Sequence, residues 1–250
     1  MVGFSGGVDS ALLAKVCAEE LGLRALAVTG VSAALPGQEL SSARTLAGTI
    51  GIRHEVVVTR ELEDPRYAAN PADRCAFCKT ELMGVLGPLA AARGLPAVLL
   101  GVNADDLGDH RPGQAAARAR GAVFPLAEAG LVKAEVRDLA ARLGLPVWDK
   151  PAQPCLSSRI PYGQPVTAEK LARIGAAESC LRAEGFSDCR VRHHEGLASL
   201  EVPREEIPRL IEPARRVRVL DRLKALGFLH VTVDLGGLKS GNLNAALGKG

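Results

Sequence analysis

Two groups of residues in this chain have the types and spacing to do chemistry. The first is Ser5-Gly6-Gly7-Val8-Asp9-Ser10, which follows the apolar residues 2–4 and opens a helical pattern over residues 9–21. Adjacent glycines let the backbone turn tightly and bring successive N–H groups close to a ligand. The helix behind them aims its unpaired N–H groups and positive dipole end at the same point. A strand, loop and helix in this order make an anion site, to which Ser5 and Ser10 add hydroxyls. It is not the G-x-x-x-x-G-K-[ST] loop, because no lysine follows the glycines. Taken alone, the stretch also fits an ordinary Gly-rich turn whose helix is capped by Asp9.

The second group is cysteine. Cys75-Ala76-Phe77-Cys78 can be a redox pair, half of a zinc site or part of an iron–sulfur site. No second C-x-x-C or finger-spaced His pair completes a zinc set. The pair follows Asn70-Pro71-Ala72-Asp73-Arg74 and not a first strand, which argues against thioredoxin-like use. Two small residues on a helix is the bland alternative. Cys155 lies in Pro154-Cys155-Leu156-Ser157-Ser158-Arg159-Ile160-Pro161, where a thiol between prolines with Arg159 nearby could be an activated nucleophile.

The elements that must position these residues follow from the pattern. Apolar runs at 24–31, 53–59 and 96–101 read as buried strands. Helical periodicity marks 9–21, 39–51, 75–93 and 131–143, with Gly144 as a stop. Strands alternating with amphipathic helices predict an α/β fold with a doubly wound, mostly parallel, Rossmann-like sheet. Ligands of such sheets bind at the carboxyl ends of the strands. Residues 5–10 and the polar loop carrying Asn103, Asp105, Asp106, Asp109 and Arg111 would gather there. Residues 149–165 hold four prolines after Asp149 and little periodicity. Beyond them, Thr167 caps a helix to about residue 184, strands follow near 188–193 and 197–202, a helical region spans about 204–226, and a last strand runs near 229–235. The expected division is residues 1–150 as the loop-bearing domain, 151–165 as a linker carrying Cys155, and 166–250 as a smaller α+β domain.

Composition limits the function classes. The 250 residues are 47% hydrophobic and 24% charged, ordinary for a soluble globular protein. Aromatics are 3% and the formal charge is +3, which speaks against a nucleic-acid surface. Neither an apolar run of membrane-spanning length nor a basic-then-apolar leader is read, so a cytoplasmic location without a membrane partner is expected. Six cysteines without a leader favour metal or catalytic use over disulfides. Arg190 and Arg192 alternate on a strand and share a face that suits a phosphate, or else form a solvated basic edge. Cys17 falls on the apolar face of its helix and reads as core, Cys180 and Cys189 are given no role in the chemistry, and the five histidines lack metal-ligand spacing and are assigned to no metal. A first strand of three residues is short against the usual five or six, so the natural start is expected upstream.

The hexapeptide at residues 5–10 resembles the pyrophosphate loop of the adenine-nucleotide α-hydrolases, which implies cleavage of ATP between its α- and β-phosphates. More specifically, FSGGVDS, NPADRCAFCK, GVNADDLGDHRPG, PLAEAGLVKAEVR and PCLSSRIPYG occur in this order, and DLGGLKSGNLN follows at residues 234–244. Together they resemble the ATP-dependent sacrificial sulfur transferases of nickel-pincer nucleotide cofactor synthesis, the LarE family. Three departures stand out: Ser199 where an arginine is expected, residues 116–120 without a glutamate, and Leu238 in place of an aromatic.

The resemblance implies adenylation of a carboxylate of pyridinium-3,5-biscarboxylic acid mononucleotide, release of AMP and pyrophosphate, and conversion to a thiocarboxylate. It assigns ATP to Ser5, Gly6, Gly7, Asp9, Ser10, Asn103 and Asp106, with Asp9 either holding Mg²⁺ or capping its helix. Lys79 either reaches phosphate or lies exposed. Substrate phosphate falls to Arg190 and Arg192, with Ser158 and Arg159 in the same pocket. Cys155 matches the sulfur-donating cysteine. Because Cys75 and Cys78 are also present, the chain resembles the branch in which three cysteines hold a [4Fe–4S] cluster with a replaceable sulfide. The alternatives are a sacrificial Cys155 without a cluster, a zinc ion on the three cysteines, and a tRNA thiolase of the same superfamily. Homo-oligomers and neighbouring enzymes of the same pathway are the implied protein partners.

Overall fold

The computed structural model describes residues 1–107 and 112–239. By its internal contacts the chain divides into two compact units, Met1–Gln153 and Pro154–Gly250.

The first unit is built on a five-stranded, all-parallel sheet in the order β3-β2-β1-β4-β5. Its strands are β1 (Val2–Gly3), β2 (Leu26–Val31), β3 (Arg53–Val58), β4 (Val98–Leu100) and β5 (Ala122–Val123). The helices between them are α1 (Val8–Leu21), α2 (Gly37–Ile50), α3 (Pro65–Ala68), α4 (Arg74–Ala92), α5 (Ala104–Leu107), α6 (Pro112–Arg118), α7 (Pro125–Glu128) and α8 (Lys133–Arg142). Side chains alternate along a strand, and the apolar runs of this sheet supply both faces. Ala25 and Ala27 join Leu12 and Leu13 of α1, Leu46 of α2 and Val136 of α8 in one core. Leu26 and Val28 turn the other way and pack with Met83 and Leu86 of α4 and Ala117 of α6. Each buried Leu, Val or Met side chain here contributes about 1.5–3 kcal/mol.

β1 lies between β2 and β4, so the chain switches direction across the sheet at β1. Loops that leave β1 and β4 therefore diverge to opposite faces and leave a crevice at their carboxyl ends. α4 follows β3 and precedes β4. It returns antiparallel to the strands and starts at that same carboxyl edge.

One expectation needs amending. α4 is, by length and composition only, apolar enough to cross a membrane. In the fold it packs on the sheet through Met83, Leu86 and Ala90, and its Glu81 carboxylate accepts the Arg60 N–H at 2.9 Å.

The second unit carries α9 (Ala168–Ala183), α10 (Ile207–Leu210) and α11 (Pro213–Ala225) with a three-stranded sheet, β6 (Arg190–His194), β7 (Leu197–Glu201) and β8 (His230–Val233), in the order β6-β7-β8. β6 and β7 are antiparallel, β7 and β8 parallel. Thr167 caps α9 by accepting the Lys170 N–H at 3.2 Å. Leu181, Phe186, Val191, Leu200, Leu223 and Phe228 form its core. The helical region expected over 204–226 breaks at Pro213, because proline takes a first-turn position and starts α11 afresh.

Candidate active site

Phe4 extends the pairing of β1 by donating its N–H to the Val28 carbonyl at 2.8 Å. Its own carbonyl accepts the Thr29 hydroxyl at 2.7 Å. The chain then reverses through Gly6, whose φ of 76° is the left-handed region that disfavours a side chain. A Cβ there would also press on Ala43 of α2, 3.3 Å from its Cβ.

The two serines tie the loop together. Their hydroxyls lie 3.1 Å apart, Ser10 donates to the Gly7 carbonyl at 3.0 Å, and the Gly7 N–H reaches Ser5 Oγ at 3.4 Å. Gly7 is the residue before α1, and among the described residues no side chain caps the helix. The first-turn N–H groups therefore have no acceptor within the helix and point to whatever lies ahead of it.

Asp9 is not the cap of α1. Its Oδ1 accepts Asn103 Nδ2 at 2.9 Å and its Oδ2 accepts Lys133 Nζ at 2.6 Å. Asn103 is itself fixed, because its N–H donates to Asp106 Oδ2 and its Oδ1 accepts the Asp106 N–H, both at 3.2 Å. Lys133 is placed by its backbone N–H, which donates to Asp105 Oδ2 at 2.9 Å. The approach of β4 to α1 depends on Gly101, where a Cβ would fall 2.6 Å from the Ser10 backbone N.

Ser5, Gly6, Gly7, Asp9, Ser10, Asn103 and Asp106 thus come together at one place. Lys133 belongs with them and was absent from the expected set. It had a signal: a lysine at the first position of a helix opposes the helix dipole, so it calls for a compensating anion. Asp109 and Arg111 lie outside the described residues. Lys79 is half-buried, its stem beside Gly113.

Cys75 and Cys78 occupy the first two turns of α4, three residues apart and so on one side of the helix. Cys75 is exposed and Cys78 half-buried. Arg66 stacks over the intervening Phe77 at 4.9 Å, and the Cys75 backbone is closely approached by Gly113 of α6. The pair suits two ligand positions of a metal or cluster. Among the described residues no three His, Cys, Asp or Glu side chains gather as a metal-ligand group. Cys75 and Cys78 belong to the first unit and Cys155 to the second.

In the second unit Cys155 is half-buried and precedes a single 3-10 turn, Leu156–Arg159. Its carbonyl accepts the Ser158 hydroxyl at 2.8 Å and the Ser158 N–H at 3.0 Å. Arg159 is fully buried and donates to Glu178 at 2.7 Å, to the Pro154 carbonyl at 3.0 Å and to Ser158 Oγ at 2.8 Å. Arg192 forks onto Glu201 at 2.9 and 3.1 Å and donates to the Ser158 carbonyl at 2.7 Å. Cys155, Ser158, Arg159 and Arg192 are therefore one bonded group.

Arg190 differs from the other two arginines. Among the described residues its one hydrogen bond goes to the Lys239 carbonyl at 3.0 Å, and it has no carboxylate partner. Burial pushes its pKa down first, and the Arg159 and Arg192 guanidinium groups push it further. Neither Arg190 nor Arg192 forms a solvated basic edge, because they are 7% and 8% exposed.

The other cysteines sit where the pattern put them or deeper. Cys17 lies in the first core, and burial raises its pKa. Cys189 lies in the core of the second unit, where burial pushes its pKa up to about 12. A thiol so held is a poor nucleophile.

No protein-family model matches the chain. An uncharacterized protein of Synechocystis sp. is 50% identical over 249 residues, which is all of this chain and 93% of that protein. A pyridinium-3,5-bisthiocarboxylic acid mononucleotide synthase of Lactiplantibacillus plantarum is 38% identical over 249 residues, covering 99% of this chain and 90% of the relative. An uncharacterized protein of Methanocaldococcus jannaschii is 24% identical over 235 residues, 94% of this chain and 88% of its own. With identity of this order along both full lengths, the chain belongs to the pyridinium-3,5-bisthiocarboxylic acid mononucleotide synthase family, the LarE family of enzymes.

Proposed function

We propose that this enzyme is an ATP-dependent sulfur transferase that adenylates a carboxylate of pyridinium-3,5-biscarboxylic acid mononucleotide and converts it to a thiocarboxylate. The observation that carries ATP use is the convergence at the start of α1. Its first-turn N–H groups, the Ser5 and Ser10 hydroxyls, Asp9, Asn103 and Lys133 meet at the β1–β4 switch point. The amides and hydroxyls would bind the pyrophosphate that departs as the substrate carboxylate oxygen bonds to the α-phosphorus. Mg²⁺ fits there by its oxygen chemistry, since it is commonly held by one or two carboxylates plus substrate phosphates. Asp9 and Asp106 would hold it, and it would neutralise phosphate charge.

The substrate is supported by the 38% identical relative, whose name is that of a pyridinium-3,5-bisthiocarboxylic acid mononucleotide synthase. Arg190 supports it, as a buried guanidinium beside Arg159 and Arg192 that forms no ion pair among the described residues. A phosphate monoester there would relieve the excess positive charge and could be bound bidentately. A tRNA thiolase has no such support.

Two sources of sulfur remain. In the favoured one Cys75, Cys78 and Cys155 hold a [4Fe–4S] cluster, which would supply a sulfide while leaving the cysteines intact. In the second, the Cys155 thiolate attacks the acyl-adenylate carbon and AMP leaves. Removal of the Cα proton then breaks the Cβ–S bond, giving thiocarboxylate and dehydroalanine at position 155. This second route needs no cysteine besides Cys155, which is half-buried at the start of its 3-10 turn.

The test is anaerobically reconstituted protein with ATP and the biscarboxylate nucleotide, read by mass spectrometry of small molecules and of the protein. Thiocarboxylate with AMP and pyrophosphate is expected, with position 155 unchanged in mass. AMP and pyrophosphate without thiocarboxylate would overturn the proposal. Thiocarboxylate from Cys75→Ala at one equivalent per chain, with loss of sulfur from Cys155, would replace the cluster route by the sacrificial one.

A further inference from the structure

Glu61 has no part in the chemistry described so far, yet it is a buried carboxyl group at the sheet's carboxyl edge. It is 4% exposed, and among the described residues its Oε2 has no hydrogen-bond partner. Its Oε1 accepts the Ser32 hydroxyl at 2.5 Å, and Ser32 Oγ in turn accepts the Ala34 N–H at 3.2 Å. A buried carboxylate oxygen without a donor is costly unless something satisfies it in the working state.

Its position says what that would be. β2 ends at Val31 and the ladder to β3 closes with the Thr59 N–H on the Val31 carbonyl at 3.0 Å. Ser32 and Glu61 therefore stand just past the carboxyl ends of β2 and β3. The Ser5–Ser10 loop stands past β1, next in the sheet to β2. With strands about 5 Å apart, Glu61 is roughly 10 Å along the edge from the phosphate loop. A nucleoside joined to phosphates at that loop spans such a distance. On the opposite side, past β4, Asn103 and Asp106 are bonded to each other, and Asn103 and Lys133 are bonded to Asp9. The open acceptor is on the β2–β3 side.

We propose that Glu61 is a nucleoside-recognising residue: its Oε2 accepts a hydrogen bond from a neutral donor on the nucleoside part of ATP, a ribose hydroxyl or the adenine amino group. The carboxylate is an acceptor only, and its pairing with ribose hydroxyls is a recurrent chemistry of nucleotide sites. Ser32 occupies the other oxygen and fixes the rotamer, so the free one is held in place before the nucleotide arrives. This inference rests on the ATP reading above.

The test is equilibrium binding of ATP, 2′-deoxy-ATP, 3′-deoxy-ATP, purine riboside triphosphate and inorganic tripolyphosphate to the full chain and to Glu61→Gln and Glu61→Ala. The unaltered protein should bind one of the three analogues roughly tenfold to a hundredfold more weakly than ATP, the range for a hydrogen bond to a charged acceptor. In both variants that discrimination should vanish while tripolyphosphate binding is unchanged. Glutamine keeps an acceptor for Ser32 and removes a buried charge, so the fold should persist. A thermal melt no lower than that of the unaltered chain checks it. Equal binding of ATP and all three analogues by the unaltered chain, or discrimination that survives in the variants, would overturn the role of Glu61. Failure of the unaltered chain to bind either ATP or tripolyphosphate would instead overturn the ATP reading itself.

Discussion

Lys133 Nζ stands 2.6 Å from Asp9 Oδ2, although 124 residues separate them. This pair joins the start of α8 to the start of α1 and brings a cation to the second residue of the helix that follows the Ser-Gly-Gly turn. The side chains are 37% and 19% exposed, so the pair contributes little to stability, about 0–1 kcal/mol. Its value lies at the site.

Lys133→Ala should therefore separate function from folding. On the proposed ATP reaction, pyrophosphate release should fall roughly a hundredfold to a thousandfold, the range for removing one preorganised donor from developing charge. The denaturation midpoint should move little. A large loss of stability with unchanged activity would assign the pair to structure alone.

Gly101→Ala makes the opposite demand. Its Cβ would meet backbone atoms of Asp9 and Ser10 at 2.6–2.9 Å, and backbone cannot rotate away. The variant should lose about 1–3 kcal/mol and bind ATP poorly, because β4 must back away from α1. Denaturant unfolding and ATP titration check both effects.

The buried ion pair of the second unit should be unforgiving. Arg159 and Glu178 are both fully buried, and Glu178 also accepts the Val191 N–H at 3.2 Å and Arg182 at 3.0 Å. Glu178→Ala leaves Arg159 buried without its anion, and a loss of about 3–5 kcal/mol is expected in denaturant unfolding.

Two buried groups give stability a pH profile with opposite slopes. Burial lowers the pKa of His193 below its ordinary 6.5, helped by Lys170 and Arg173. As pH falls below about 6.5 the unfolded chain takes up this proton before the folded one, so stability should fall. Cys189 is raised from 9.0 to about 12 by burial. Between pH 9 and 12 the unfolded chain releases its proton first, so stability should fall as pH rises through that window. Melts of His193→Phe and Cys189→Ala should flatten the acid and the alkaline limb respectively.

Thiol reactivity should follow burial. With a small alkylating reagent on the native protein near pH 8, exposed Cys75 should label first, and Cys17 and Cys189 only after unfolding. Peptide mapping of the time course reads the order.

What was legible in the sequence is what short-range chemistry controls. Hydrophobic period and turn residues marked the long helices and the strands flanking them, because a 14-residue helix such as α1 or α2 carries several repeats of its apolar face. The Ser-Gly-Gly turn and the C-x-x-C pair were readable because contiguous residues form them. β5, with two residues, and α5 and α7, with four each, escaped because segments so short hold no period. Their existence depends on the sheet and helices they pack against.

The site was legible as residue types and not as a set of bonds. Sequence offered Asp9 as a residue for a phosphate site, but only folding set Lys133 and Asn103 on its two oxygens, from positions far along the chain. Sequence likewise gave Arg159, Arg190 and Arg192 one common role. The tertiary structure separated them, because Glu178 and Glu201 neutralise two and leave Arg190 with a carbonyl. Residue type and local spacing determine which groups a loop can offer to a ligand. Which of those groups keep an unspent charge depends on partners brought from distant segments, and burial makes that pairing decisive.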